Sequence, residues 1–152
     1  LYSRVIGNAD LGEVEAMMIH PSTVMTFSDS GAHVGIGINA SLPTYLLSYW
    51  VREAKVLALE DAIRMLTSVP AGVWGIRDRG LLRPGYRADL NVIDPHRVQP
   101  NLPRIESDLP GGAKRFTQTA EGFLATIVEG TIVLRDGVHT GALPGRLLRN
   151  AA

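Results

Sequence analysis

The sequence predicts a mixed α/β fold in two parts, and three observations carry that reading. An amphipathic stretch, "LGEVEAMMIH", runs across a proline into a β-favouring one, "TVMTFS". The texture changes at Arg77, after which glycine, proline and aspartate punctuate short β-branched runs. Near the end, two such runs flank Glu129-Gly130, and Asp136-Gly137 follows. Acidic-glycine pairs of this kind mark hairpin turns.

Each element follows from local pattern. Leu11, Val14, Met17 and Met18 fall at helical spacing, acids come early and Pro21 is a stop, so a helix covers Leu11–Ile19. Val24–Phe27 is β-branched and aromatic and reads as a strand. Helix, short turn and buried strand form a unit typical of parallel sheets. "GAHVGIGINAS" is a glycine-spaced loop, and "LPTYLLSYWVREAKV" an apolar helix with Pro43 in its first turn. Leu59, Ala62, Ile63 and Leu66 repeat at i, i+3, i+4 and i+7, giving a helix to about Ser68. "PAGVWG" adds a short turn closed by Gly75. Trp50 and Trp74 lie on apolar helix faces and are expected in the core. Beyond Arg77, Ala88–Ile93 is a strand, "NLPRIESDLPGGAKRF" a long loop, and "FLATIVEGTIVLRDGVHTG" a hairpin.

Composition excludes several functions. The chain has 152 residues, 45% of them hydrophobic and 20% charged, as in soluble globular proteins. Its formal net charge is zero, so no basic excess points to nucleic acid. It has no cysteine, which rules out disulfides, thiolate metal sites and thiol nucleophiles. No apolar stretch is long enough to span a bilayer and no secretory signal is visible, so the expected location is cytoplasmic. The chain starts at Leu1 without a methionine and reads like the middle of a longer protein, although a trimmed one would start the same way.

The chemistry concentrates in "VMTFSDSGAHVG". An apolar strand ends in Ser28-Asp29-Ser30-Gly31, with His33 just beyond. Side chains at the C-terminal ends of parallel strands face the crevice where α/β proteins place their sites. Asp29 there suits a general base, a metal ligand, or both. It equally suits a loop cap, since Asp and Ser form turns well. On position alone the two readings stand level. His33 suits a substrate hydrogen bond, a plain loop position or, least well, a metal ligand, since no second histidine stands at i+2 or i+4. His20 sits at a helix end, where it favours the dipole, and His96 in a turn and His139 after a hairpin are expected to face solvent. "GIG" at Gly35–Gly37 lacks the third glycine of a dinucleotide fingerprint. Ser28 and Ser30 lack the G-x-S-x-G setting and a nearby base.

"PAGVWGIRDRGLLRPGYRADLNVID" resembles the passage from barrel to β-domain in metal-dependent amidohydrolases, and "FSDSGAH" resembles their eighth barrel strand. The fit extends over "SYWVREAKVLALEDAIRMLTSVPA" and "ATIVEGTIVLRDGVHTGALPGRLLR", and is to the N-acyl-D-amino-acid deacylase (D-aminoacylase) branch.

The resemblance implies the end of a TIM-like (β/α)8 barrel over residues 1–76 and part of a small β-sandwich over 77–152. It implies zinc-dependent hydrolysis of a linear, non-peptide amide in a small-molecule substrate. Asp29 then orients the attacking water and moves its proton, and is a candidate for sharing with the metal site; the other ligands lie on earlier strands absent from this chain. It also implies that the chain alone is inert and pairs with the rest of the barrel or with itself. The deacylases hold the substrate carboxylate with an arginine after the catalytic aspartate, and "SGAHVGIGINASLPTY" contains none. Amide hydrolysis therefore carries over more firmly than the substrate. The alternatives are another amidohydrolase, acting on a cyclic amide or a carbamate, and a non-catalytic scaffold module.

Overall fold

The computed structural model describes residues 10–25, 28–32 and 39–148. Helix α1, Leu11–Met18, starts where Asp10 takes an extended backbone and its carboxylate accepts the Gly12 N–H at 2.8 Å. That satisfies a donor the helix itself leaves unpaired.

A single 3₁₀ turn, Asn39–Ser41, leads into α2, Leu42–Tyr45, with a proline in its first turn. The helix then widens into a π-helix, Leu46–Glu53. Here the Ala54 N–H reaches the Tyr49 carbonyl at 2.7 Å, five residues back. The sequence predicts a helix here, and its wide-bore middle is not visible in the residue spacing. Leu46, Leu47 and Trp50 on this segment are buried.

Helix α3, Leu59–Leu66, and α4, Ser68–Val73, are separated by Thr67, whose φ of −128° and ψ of −83° leave the helical region. The Thr67 hydroxyl donates to the Ile63 carbonyl at 2.6 Å. α4 ends as the sequence predicts. Gly75 has φ +70°, its N–H donates to the Gly72 carbonyl, and the Ile76 N–H donates to the Ala71 carbonyl at 2.8 Å. This is a Schellman closure, which needs a left-handed residue at Gly75.

The second part is a four-stranded antiparallel sheet in the order β1-β6-β7-β8, from Leu90–Ile93, Phe123–Val128, Thr131–Arg135 and Val138–His139. Val128 pairs with Thr131 and Arg135 with Val138, so both turns are two-residue. Glu129-Gly130 and Asp136-Gly137 have positive φ at both positions, as the expected turn type requires. Two smaller pairs complete the architecture: β2, Gln99–Pro100, with β5, Ala120–Glu121, and β3, Arg104–Glu106, with β4, Arg115–Thr117.

Three expectations need correction. Val24 and Met25 lie outside any strand, and Thr26 and Phe27 fall outside the described residues. Among the described residues every strand pair is antiparallel and begins at Leu90 or later. A parallel strand exists only with a neighbour to pair with, and among the described residues no strand pairs with Val24 or Met25. The expected long loop after Asn101 contains the β3–β4 hairpin, clamped by two Arg115–Asp108 bonds of 2.7 and 2.6 Å. Trp74 is 62% exposed, whereas Trp50 is 5% exposed. Trp74 caps α4, past the face that packs inward, so only Trp50 enters the core.

One core cluster unites both parts. Leu46, Leu47, Trp50 and Ala62 pack with Val98, and Ile93 and Phe123 of the sheet pack against it. Arg52 fastens the contact, donating from Nη1 to the Val98 carbonyl at 2.6 Å. Gly122 makes the close approach possible. It has φ +80°, and a Cβ there would run into the backbone of Arg97 and Val98.

Candidate functional site

Asp29 stands in a tight turn. The Ala32 N–H donates to the Asp29 carbonyl at 2.9 Å, and Gly31 takes φ +84° at the third turn position. The Ser28 hydroxyl accepts the Ser30 N–H at 3.3 Å. The residue types explain this: a glycine supplies the left-handed position and a serine side chain braces the start. These bonds use the backbone of Asp29 and the hydroxyl of Ser28, not the Asp29 carboxylate. The residue is exposed. Its side chain therefore stays available for chemistry, although turn formation alone also explains why the local sequence is Ser-Asp-Ser-Gly.

Beside this turn lies a groove of about 460 Å³, with Ser28 at one side and Val24, Met25, Leu42, Leu66 and Pro70 as its apolar walls. A second, more apolar groove of about 280 Å³ runs between α1 and the π-helix, past Met17, Met18, Tyr45 and Trp50. Tyr45 and Tyr49 stack with ring centres 5.1 Å apart. Burial pushes the Tyr45 phenol above its ordinary pKa, with Tyr49 and Glu53 adding to the effect. Tyr45 is thus a neutral hydrogen-bonding group at pH 7.

The structure brings no second candidate to Asp29, because His33 lies outside the described residues. His96 and His139 are exposed, as expected, and so is His20. His20 and His139 each accept a backbone N–H two residues on, at 3.2 and 2.9 Å. Among the described residues, no three His, Cys, Asp or Glu side chains come together to hold a metal ion. A zinc site needs about three protein ligands, so the described residues do not fit the metal that the resemblance implies.

The residues that most clearly cluster were not singled out in the sequence: Asp78, Arg79, Arg87, Asp89 and Glu129 form a connected set of ion pairs. The signal was there, in the alternating charges of "RDRG" and "YRAD", but its third partner, Glu129, is forty residues further on.

With this geometry in place, comparison with known proteins decides the family. The amidohydrolase family model matches residues 4–134. The chain belongs to the amidohydrolase family.

Its likeness is to the D-aminoacylase branch. It is 38% identical over 106 residues to an N-acyl-D-aspartate deacylase of Alcaligenes xylosoxydans xylosoxydans, covering 69% of this chain and 19% of that protein. A D-aminoacylase variant solved with copper chloride superposes with a TM-score of 0.54 at 29% identity, covering 70% of this chain and 20% of the other. A dihydroorotase of Lactobacillus johnsonii is 41% identical over 64 residues, 42% of this chain and 15% of the enzyme. The amidohydrolase thus spans about a fifth of the length of the deacylase relatives it matches. Among the described residues, no helix is long and apolar enough to cross a membrane.

Proposed function

We propose that the chain is the C-terminal part of a cytoplasmic hydrolase that cleaves a linear, non-peptide amide, of the N-acyl-D-amino-acid type. In this reading residues 1–76 end a (β/α)8 barrel and 77–152 form part of a β-sandwich. The observation that carries it is the family match running from residue 4 through Asp29 to residue 134, with 38% identity to an N-acyl-D-aspartate deacylase.

Asp29 supplies the proton chemistry. Its carboxylate accepts a proton from water as the oxygen adds to the amide carbonyl. It returns that proton to the nitrogen as the C–N bond breaks, leaving a carboxylic acid and an amine. Its exposed place on a tight turn lets the carboxylate reach substrate without breaking a structural bond. His33, four residues on, is the proposed substrate contact. The zinc of the family would be held by residues elsewhere in a longer protein, and no step is assigned to it here.

Two measurements test this. The 152-residue chain, supplied with zinc, is expected to release no amine from N-acetyl-D-aspartate, since one carboxylate is not a site. Chelator-sensitive turnover by the chain alone would overturn the partial-site reading. In the longer protein, Asp29→Asn should lower kcat by about 10²–10⁴-fold, the usual worth of general acid–base catalysis, with KM and melting temperature little changed. A turn former predicts the reverse: normal kcat and a loss of about 1 kcal/mol of stability.

A second reading, hydrolysis of a cyclic amide, is favoured by the dihydroorotase likeness. It is distinguished by offering dihydroorotate and N-acetyl-D-aspartate to the same preparation.

A further inference from the structure

The Arg79 cluster lies apart from the Asp29 turn, and its geometry is that of a fastening. Three carboxylates come from three separate points of the chain: Asp78 and Asp89 from the two ends of one loop, Glu129 from the β6–β7 turn. Arg79 sits among them with its side chain 18% exposed. Its Nε donates to Asp89 at 2.6 Å, its Nη1 to Asp78 at 2.8 Å and its Nη2 approaches Glu129 at 3.4 Å. Arg87 closes the ring, donating to Asp78 at 3.1 Å and to Glu129 at 2.7 Å. The backbone joins in. Asp89 accepts the Glu129 N–H at 2.8 Å, the Ala88 carbonyl accepts the Gly130 N–H at 3.0 Å, and the Asp78 carbonyl accepts the Arg87 N–H at 2.9 Å.

The cluster therefore binds the loop 78–89 to a turn forty residues away. Three negative and two positive side chains leave it one charge short of neutral. Arg79 is the one group that contacts all three carboxylates, and a planar fork is what such a hub needs. Gly80, next to it, has φ +84° and packs against Ala71, so the loop is also seated on α4. We propose that this cluster is an acid-released latch: it holds the β6–β7 turn on the 78–89 loop at neutral pH, and protonation of its aspartates opens that contact before the core opens.

Both aspartates are held below the usual carboxylate range. For Asp78 the leading cause is the hydrogen bond from Arg87, and for Asp89 the backbone N–H of Glu129. The charged groups contacting them are Arg79 and Arg87 from their own loop; from the hairpin, Glu129 reaches Asp89 with its backbone N–H, and its carboxylate faces the two arginines. A depressed folded pKa means the stabilisation is complete above the unfolded aspartate value of about 4 and disappears as pH falls through the folded values. In the core, Val98 and Ala62 pack among apolar side chains, and the charged side chain bonded to Val98 is that of Arg52, which stays charged at acid and neutral pH alike.

Amide hydrogen exchange of the 152-residue chain reads the latch directly. The protection factors of Glu129 and Gly130 should fall about tenfold or more between about pH 6 and pH 2.5, the worth of one charge-assisted hydrogen bond. Val98 and Ala62 should keep theirs. Arg79→Met should produce the same selective loss at pH 6, and Arg79→Lys a smaller one, because the ammonium keeps the charge without the fork. If turn and core amides lose protection together on acidification, or if Glu129 and Gly130 stay protected in Arg79→Met, the latch is wrong. Should Arg79→Met not fold, the acid series on the unmodified chain decides.

Discussion

The helical part and the sheet part satisfy themselves in different ways. In the sheet part, polar side chains bond from one segment to another: Thr126 with Asn91 across β6 and β1, Asn101 with Thr119, and Arg115 with Asp108. In the helical part, large apolar side chains remain at the surface. Leu11, Met17, Ile19, Leu42 and Tyr45 are each at least 39% exposed, and Met17, Leu42 and Tyr45 border the grooves beside α1 and α2. Exposed large apolar side chains are not confined to the helical part, however: Leu82, Leu102 and Leu143 are each at least 86% exposed. The β6–β7 and β7–β8 hairpins are local pairings, and β1 joins them from about thirty residues earlier in the chain.

The largest blow to the shared core should come from Trp50→Ala. Removing a buried tryptophan costs about 3–5 kcal/mol, enough to abolish the cooperative transition of a marginal domain, as a denaturant titration would show. Gly122→Ala comes next, and attacks the same core from the sheet side. It adds left-handed strain of about 1–2 kcal/mol to overpacking of about 1–3 kcal/mol against Arg97 and Val98. A normal melting temperature for this variant would mean that Val98 is not pinned between the π-helix and β6. Asp10→Ala should be milder and confined to the helical part. It removes the α1 cap at about 1 kcal/mol, so circular dichroism should report lost helix while the β3–β4 and β6–β7 amides stay protected. Smallest of all, Trp74→Ala should move the midpoint by less than about 0.5 kcal/mol, as at other exposed positions. A large effect there would show that Trp74 has a partner.

Much of the sheet part was legible because turn chemistry is local. Glu129-Gly130 and Asp136-Gly137 announce two-residue turns by themselves, and α3 shows its period within eight residues. The β3–β4 hairpin was not legible. Its strands are three residues each, "RIE" and "RFT", charge-rich and separated by a 3₁₀ turn over Pro110–Gly112, so neither alternation nor a turn dipeptide marks them. The π-helix was hidden because Leu46, Leu47 and Trp50 suit either helix type. Trp74 is exposed because α4 ends one residue before it, so the apolar run in the sequence outlasts the buried face. At the candidate site, Ser-Asp-Ser-Gly foretold the turn that holds Asp29. Its surroundings could not be foretold, because convergence of ligands is a property of long-range packing and not of spacing.

The core shared by Trp50, Leu46, Val98 and Phe123 bears on what happens if the chain is severed. The natural place to cut is after Arg77, between the last helix and the loop that begins the sheet part. Neither product would have an interior of its own: one would present Trp50 and Leu46 to water, the other Val98 and Phe123. Each would be the complement of the other's missing half. The two pieces should recognise one another as split proteins do, re-forming the joint interior on mixing, with Arg52 and the Val98 carbonyl as the polar key that sets their alignment.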